Sequence, residues 1–479
     1  MAMLTRPQDP GARIGTHGSD PALEARYRAR SLWLDGIPES LTPRAGLAGD
    51  ADCDVAIVGA GFTGLWTAYY LKRHEPGLRV VVVEREIAGF GPSGRNGGWA
   101  MAGIPGSPGV YARRGGAESV RRALRETQAA VDEVGRVAAV EAIACGYCKA
   151  GAVTVATTEP QRARLLAETR PGEGPWEREQ ALDAAALDRL VRIPGVLAAT
   201  FLAQAARVDP ARLVRGLADA CERLGVTIHE RTPALELAPG RIRCPAGTLR
   251  ARTVVAATES YTTELPGQRL RYLPLYSLMI ATEPLPAATW EELGWRHGLL
   301  VGDAHHLFFY AQRTTDGRIA IGGRGAPYRL LRPISERHER SERVAQRLVH
   351  TLRRHFPAAA SATITHHWGG PLAVPRDWSM SIRFDSLSRV GSAGGYAGHG
   401  VAASNIAGRT LADLVLGRDT ERVTLPWVQH RSRRWEPEPL RYLASRAIVR
   451  VLAHADRYED RTGRTSRQTT LVAPFLPPH

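Results

Sequence analysis

An α/β fold, α+β overall, follows from three stretches of this chain. In the first, the apolar run Asp54-Val55-Ala56-Ile57-Val58 enters the turn Gly59-Ala60-Gly61-Phe62-Thr63-Gly64. A helical stretch then runs to Arg73, and Arg79-Val80-Val81-Val82-Val83-Glu84 returns as a second strand. Strand, Gly-x-Gly-x-x-Gly turn, helix, strand and terminal acid make the dinucleotide-binding βαβ unit of a Rossmann-like domain. The second stretch is a further glycine-rich loop, Gly89 to Gly98. The third, residues 276–384, reads as alternating short strands interrupted by one helix. Nucleotide-type elements resume on either side of it, which predicts a discontinuous Rossmann-like domain interleaved with a second, strand-built domain.

Each part of the first unit has a physical task. Gly59 permits the tight turn, Gly61 lets the backbone approach a pyrophosphate, and Gly64 lets the helix pack closely on the strand. The helix N-terminus offers unpaired N–H groups and roughly half a positive charge to phosphates. Glu84 stands at the spacing (84 − 64 = 20) where a carboxylate accepts hydrogen bonds from ribose hydroxyls. The loop Gly89-Phe90-Gly91-Pro92-Ser93-Gly94-Arg95-Asn96-Gly97-Gly98 then selects the dinucleotide. A nicotinamide site has no need of it, whereas a flavin dinucleotide must be threaded past more backbone at close approach.

Later elements follow from local signals. Residues 1–50 are rich in Pro, Gly, Arg and Asp, and the first twenty are expected to lack fixed structure. Ser31-Leu32-Trp33-Leu34 is apolar enough to pack as an arm on the body. A helix is expected over Glu118 to Ala142, a strand at Ala152–Val155, and a charged helix over Gln180 to Leu190. Asp209 and Pro210 read as N-cap and first turn of a helix that Gly225 stops. Val226-Thr227-Ile228 reads as a strand, Arg241–Cys244 with Thr248–Arg250 as a hairpin, and Thr253–Thr258 as a buried strand. Strands are expected at Leu278–Thr282, Leu307–Gln312 and Arg318–Gly322, and a helix over Ile334 to His355. The last motif, Gly394-Gly395-Tyr396-Ala397-Gly398-His399-Gly400-Val401, leads into a helix through Leu414 that Gly417 ends. A final helix is read around Arg441 to Asp456, fraying beyond.

With these motifs in place, the sequence resembles the FAD-dependent oxidoreductases of the D-amino-acid oxidase and sarcosine oxidase superfamily. It looks closest to the gamma-glutamylputrescine oxidoreductase-like branch, where Gly-Phe-Gly-x-Ser-Gly-Arg-Asn-Gly-Gly follows the acid. The resemblance implies FAD, an amine substrate, and hydride transfer from the carbon beside nitrogen to flavin N5. The resulting imine hydrolyses, and electrons pass to oxygen or another acceptor. It implies cofactor contacts at Gly59, Gly61, Phe62, Thr63, Gly64, Glu84 and Arg85, then at Gly91, Ser93, Gly94, Arg95, Asn96, Gly97 and Gly98. Further contacts are implied at Val208, Val226 and Thr258, and at Gly395, Tyr396, Gly398, His399, Gly400 and Val401. Glu259 departs from the Asn, Gly or Ala usual after the threonine. The final glycine loop is expected to aim its helix N-terminus at the flavin N1–C2 edge, where reduction places negative charge.

The resemblance implies a discontinuous Rossmann-like FAD-binding domain at residues 51–105, 200–275 and 385–418, interleaved with an antiparallel-sheet substrate domain at 106–199 and 276–384. Residues 1–50 form an arm and 419–479 a helical tail. Three departures from the sarcosine oxidase pattern narrow the chemistry. Ala402 replaces a lysine that pairs with a substrate carboxylate, which favours an amine or polyamine-derived substrate. The stretch Arg318 to Arg324 lacks the lysine that assists oxygen reduction, leaving Arg324 or a histidine to substitute. No cysteine follows Cys244, so FAD is expected to be non-covalent. The catalytic candidates are His399, Arg95, His367 and Arg324. Arg95 could hold an anion or simply brace its loop. His367 and Trp368 could line the active-site face or pack, and Tyr276 and Tyr310 could gate a pocket or belong to the core.

Composition excludes other classes. The formal net charge of +15 invites a nucleic-acid reading, yet the basic residues are spread along the chain and only Lys72 and Lys149 are lysine. No nucleic-acid motif accompanies them. Five cysteines make no disulfide framework, and Cys145-Gly146-Tyr147-Cys148 lacks a thioredoxin-like context. No metal site is expected, and no run is long enough to span a bilayer, so the expected location is cytoplasmic. No second Gly-x-Gly-x-x-Gly exists to hold NAD(P)H. A flavin monooxygenase, or a FAD-binding protein without amine oxidation, are the alternative readings.

Overall fold

The computed structural model describes residues 20–167, 179–323, 325, 328, 330 and 334–472. Strand Ala51–Val58 runs parallel to Gly247–Ala256 on one side and to Val80–Val83 on the other. Val390–Gly394 and Thr227–His229 continue the sheet outwards, again in parallel. Five strands thus present their carboxyl ends to one side, which is where open α/β sheets bind ligands. Ser381–Asp385 pairs antiparallel at one edge, and Arg241–Cys244 forms the hairpin with Gly247–Ala256.

Helix Phe62–His74 packs against helices Gly400–Leu416 and Pro210–Arg223, which is why Phe62 to Lys72 are buried on every side. Asp209 caps the helix Pro210–Arg223 by accepting from the Arg212 N–H at 3.0 Å. Gly225, at φ +85°, follows it in the left-handed conformation that ends helices.

The second sheet has the strand order Ile364–Val374, Leu273–Thr282, Ile319–Gly323, Phe309–Arg313, Leu300–Asp303, Ala152–Ala156, Ala198–Leu202 and Glu179–Leu182. It is antiparallel except where Leu300–Asp303 meets Ala152–Ala156 in parallel. The long excursion between those two strands gives the chain room for the crossover a parallel pair needs. The charged stretch read as one helix over Gln180 to Leu190 is instead an edge strand, Glu179–Leu182, and a helix, Ala184–Asp188, capped by Asp183. Pairing with Ala198–Leu202 overrides the helical propensity of the first half.

Packing divides the chain at other residues than the expected ones. Helix Pro108–Val140 buries Val120, Leu124, Val131 and Val134 in the same core as Ile57, Trp66 and Tyr69. It therefore belongs with the first sheet, and only from Ala152 does the chain enter the second. Ser381–Asp385 likewise pairs into the first sheet, a few residues before the expected boundary.

Of the first twenty residues only Asp20 is described, capping helix Pro21–Arg28; residues 1–19 lie outside the described residues. The apolar arm packs as read: Ser31 caps helix Leu32–Asp35, and Leu32, Trp33 and Leu34 are buried. The tail forms a helix over Leu440–Thr462.

Candidate active site

One continuous cavity of about 1320 Å³ opens at the carboxyl ends of the parallel strands and extends over the second sheet. A single small-molecule site typically takes roughly 300–1,000 Å³, so this cavity has room for more than one ligand.

Its first end is built by the βαβ unit. Gly59 turns with φ +105°, and a Cβ there would stand 2.6 Å from the Ala257 carbonyl oxygen. A Cβ at Gly64 would meet the Gly59 oxygen at 2.0 Å, so helix and strand lie as close as glycine alone allows. Glu84 lines the cavity and accepts N–H bonds from Ala60 (2.8 Å) and Glu86 (3.0 Å). Burial raises its carboxyl above the ordinary range, against the pull of those two donors. The second glycine loop folds over the helix entrance, where the Phe62 N–H donates to Ser93 Oγ at 2.9 Å. Asn96 braces this loop by donating to Pro92 and Ser93 carbonyls, while Ser31 and Trp33 of the arm hold the Gly94 and Asn96 carbonyls.

The opposite wall is the loop before helix Gly400–Leu416. Gly398, His399, Gly400 and Val401 line the cavity, and Tyr396 Oη shares a 2.7 Å hydrogen bond with Thr63 Oγ1. Gly395 supports Tyr396 from outside the lining. Neither this helix nor Phe62–His74 has a side-chain cap, so two helix N-termini direct positive dipole ends at one space. Uncapped helix ends, an apposed second glycine loop and a buried acid are what a dinucleotide with a pyrophosphate and a ribose requires. The residues present fit FAD.

Other expected positions fall elsewhere. Val226 precedes strand Thr227–His229, at the amino end of a parallel sheet whose ligands sit at the carboxyl end. Pro233, Ala234 and Leu235, just past that strand, line the cavity instead, tied to it by the Thr232 N–H on the Glu84 carbonyl (2.7 Å). The signal was available, since the chain must leave such a strand at its ligand end. Val208 is fully buried, its N–H on the Gly98 carbonyl, and does not reach the cavity. Thr258 does, and Glu259 beside it adopts φ +43°. Gly94 and Gly98 shape the loop rather than line the space.

Arg95 is a correction among the catalytic candidates. Its guanidinium is closed off from solvent, pairs with Glu339 (2.6 Å), and donates to Tyr261 Oη and the Gly369 carbonyl. Glu339 also binds Arg30. The Arg95 charge is therefore committed within the protein, the loop-bracing reading. His367 pairs with Ile280 across the sheet and shares its face, which packs into the second core away from the cavity. Its Nε2 accepts from the Ser341 N–H at 3.3 Å, and burial lowers its pKa. Trp368 packs edge-on against Trp33 and donates to the Arg95 carbonyl, and Tyr276 lies in the second core. Arg324 lies outside the described residues.

His399 does line the cavity, against Gly103. Tyr310 joins it: the ring packs on Gly97, and its hydroxyl shares a 2.8 Å hydrogen bond with Ser277 Oγ, both residues lining the cavity. Cys145 and Cys148 are free thiols, and burial pushes Cys145 up to about 11.

Fold and site together define a flavin-dependent oxidoreductase. Residues 54–414 match the family described as DAO, FAD dependent oxidoreductase, and the chain belongs to that family. It is 29% identical over 403 residues to the gamma-glutamylputrescine oxidoreductase of Escherichia coli, covering 81% of this chain and 87% of the relative. It is 28% identical over 385 residues to the probable oxidoreductase OrdL of Haemophilus influenzae, covering 78% and 84%. Among solved structures, glycine oxidase from Geobacillus kaustophilus superposes with a TM-score of 0.66 at 20% identity, covering 80% of this chain and 99% of that one. The protein is thus a FAD-dependent oxidoreductase. No helix among the described residues is long and apolar enough to cross a membrane.

Proposed function

We propose that this enzyme oxidises the C–N bond of an amine to an imine, which water hydrolyses, and passes the electrons to oxygen or another acceptor. The observation that carries an amine rather than an α-amino acid is the state of the cavity's cations. Among the described residues, the arginines lining it are Arg85, Arg95, Arg164 and Arg376. They pair with Glu264, Glu339, Glu459 and Glu436 respectively, at 2.6 to 3.0 Å. A substrate carboxylate would have to displace one of those partners. Relatives named for γ-glutamylputrescine and for glycine support C–N chemistry in general.

FAD, when bound, supplies the two-electron acceptor for the hydride. We assign its binding to Gly59, Gly61, Phe62, Thr63, Glu84 and Arg85, to Gly91, Ser93, Asn96 and Gly97 of the second glycine loop, and to Thr258, Gly398, His399, Gly400 and Val401. His399, which lines the cavity, takes the proton of the incoming ammonium and leaves a lone pair on the reacting nitrogen. The Tyr310–Ser277 hydroxyl pair orients the amine. The N–H groups that open helix Gly400–Leu416 favour negative charge on their side of the cavity without reorganising.

An anaerobic titration of the yellow holoenzyme with a panel of amines and N-methyl amino acids tests this. Bleaching by an amine is expected, and readmitting air separates oxidase from dehydrogenase. Yellow protein that no amine bleaches, but that consumes NADPH when a substrate is added, would make it a monooxygenase.

A further inference from the structure

The family match ends at residue 414, yet the chain beyond it returns to the cavity. Helix Leu440–Thr462 is pinned at both ends beside it. At the near end the buried Arg441 binds Glu438 (2.9 Å) and Tyr328. At the far end Asp456 accepts the N–H groups of His306 (2.9 Å) and Leu307 (3.0 Å), and Glu459 holds Arg164 at 2.9 Å. Asp460 holds His305 and Arg354, each at 3.1 Å.

Between the pins the helix lines the cavity with Leu443, Ile448, Val449 and Leu452. Leu443 is 58% exposed, an unfavourable state for a leucine that an apolar ligand would relieve. Leu275 and Leu372, adjacent across the second sheet, line the same cavity. The charged groups at this end are mutually satisfied: Asp303 with His305, and Arg376 with Glu436. A second ammonium on the substrate would lose its water here and have to compete with His305 and Arg376 for Asp303 and Glu436.

We propose that helix Leu440–Thr462 is the specificity wall of the amine site. The substrate is an amine bearing one extended apolar substituent, alkyl or arylalkyl, and no second charge. This rests on the amine-oxidation reading, but its test can be separated from it. Dissociation constants are measured on the holoenzyme, without air, from the perturbation of its visible flavin spectrum. The ligands are n-butylamine to n-octylamine and the α,ω-diamines of equal length.

Affinity should rise about fourfold per added methylene, and each long diamine should bind about tenfold more weakly than its monoamine. Leu443→Asp and Ile448→Asp, read separately and checked for FAD content and far-UV dichroism, should each flatten the length dependence. Diamines that bind as tightly as monoamines, or affinity independent of length, would overturn the apolar site even if every amine bleaches the flavin. A steep length dependence without bleaching would uphold this site and overturn amine oxidation. No spectral change with any amine would overturn both.

Discussion

Glu259 shows how much a single residue can hold against its own preferences. It turns with φ +43°, a region where Asn and Gly are at ease and most other side chains are not. The residue as a whole is half-buried, but its Oε2 atom is shut off from solvent without a hydrogen-bond partner. Burial pushes the carboxyl up to about 8, against the N–H groups of Tyr396 and Gly395. Because the folded value lies above the ordinary 4.5, stability is full below pH 4.5 and is lost as pH rises through about 8. Glu259→Gln should therefore melt above wild type at pH 8–9, with the difference vanishing below pH 4.5, in thermal scans across pH. A pH-independent difference would show that the carboxyl finds a partner. Arg95 poses the opposite case, a buried charge fully matched. Arg95→Ala should destabilise the protein towards the lower end of about 3–5 kcal/mol, since Arg30 still holds Glu339. Chemical denaturation measures this, and a loss of activity at unchanged stability would restore a catalytic role.

Among elements, helices divide by what holds their ends. Phe62–His74 and Gly400–Leu416 are locked by burial along their length and leave their N-termini to the cavity. Leu440–Thr462 is the reverse, buried at few positions and held by side chains at its termini. Asp456→Ala removes the acceptor of two backbone N–H groups, a loss of about 1–3 kcal/mol for each donor left buried and unpaired. Hydrogen exchange over residues 440–462 should rise by one to two orders of magnitude while Phe62–His74 stays protected. Equal protection in both proteins would mean that the apolar contacts alone hold the helix. The glycine turn, both its strands and the final glycine-helix were legible because each carries its geometry in a short window. The edge strand Glu179–Leu182 was not, since its conformation comes from a partner some twenty residues away.

Over the whole molecule, two sheets from interleaved segments border one cavity, so the proposed cofactor site lies where both cores meet. Binding there should stabilise the entire fold by mass action. Free FAD at a hundred times its dissociation constant adds about 2.7 kcal/mol, and the melting temperature of stripped protein should climb steadily with FAD concentration. Differential scanning fluorimetry reads this directly, and a melting point indifferent to FAD would contradict the shared cavity.

The sequence by itself determined the nucleotide fold and the cofactor class. Those depend on glycine, whose lack of a Cβ is written in the sequence, and on an acid at fixed spacing. Tertiary structure decided which polar side chains face the cavity. It committed Arg95 to Glu339, turned His367 into the second core, brought Tyr310 onto Gly97, and laid a tail helix along the cavity. Pairing and burial join residues hundreds of positions apart, and no local pattern records that distance.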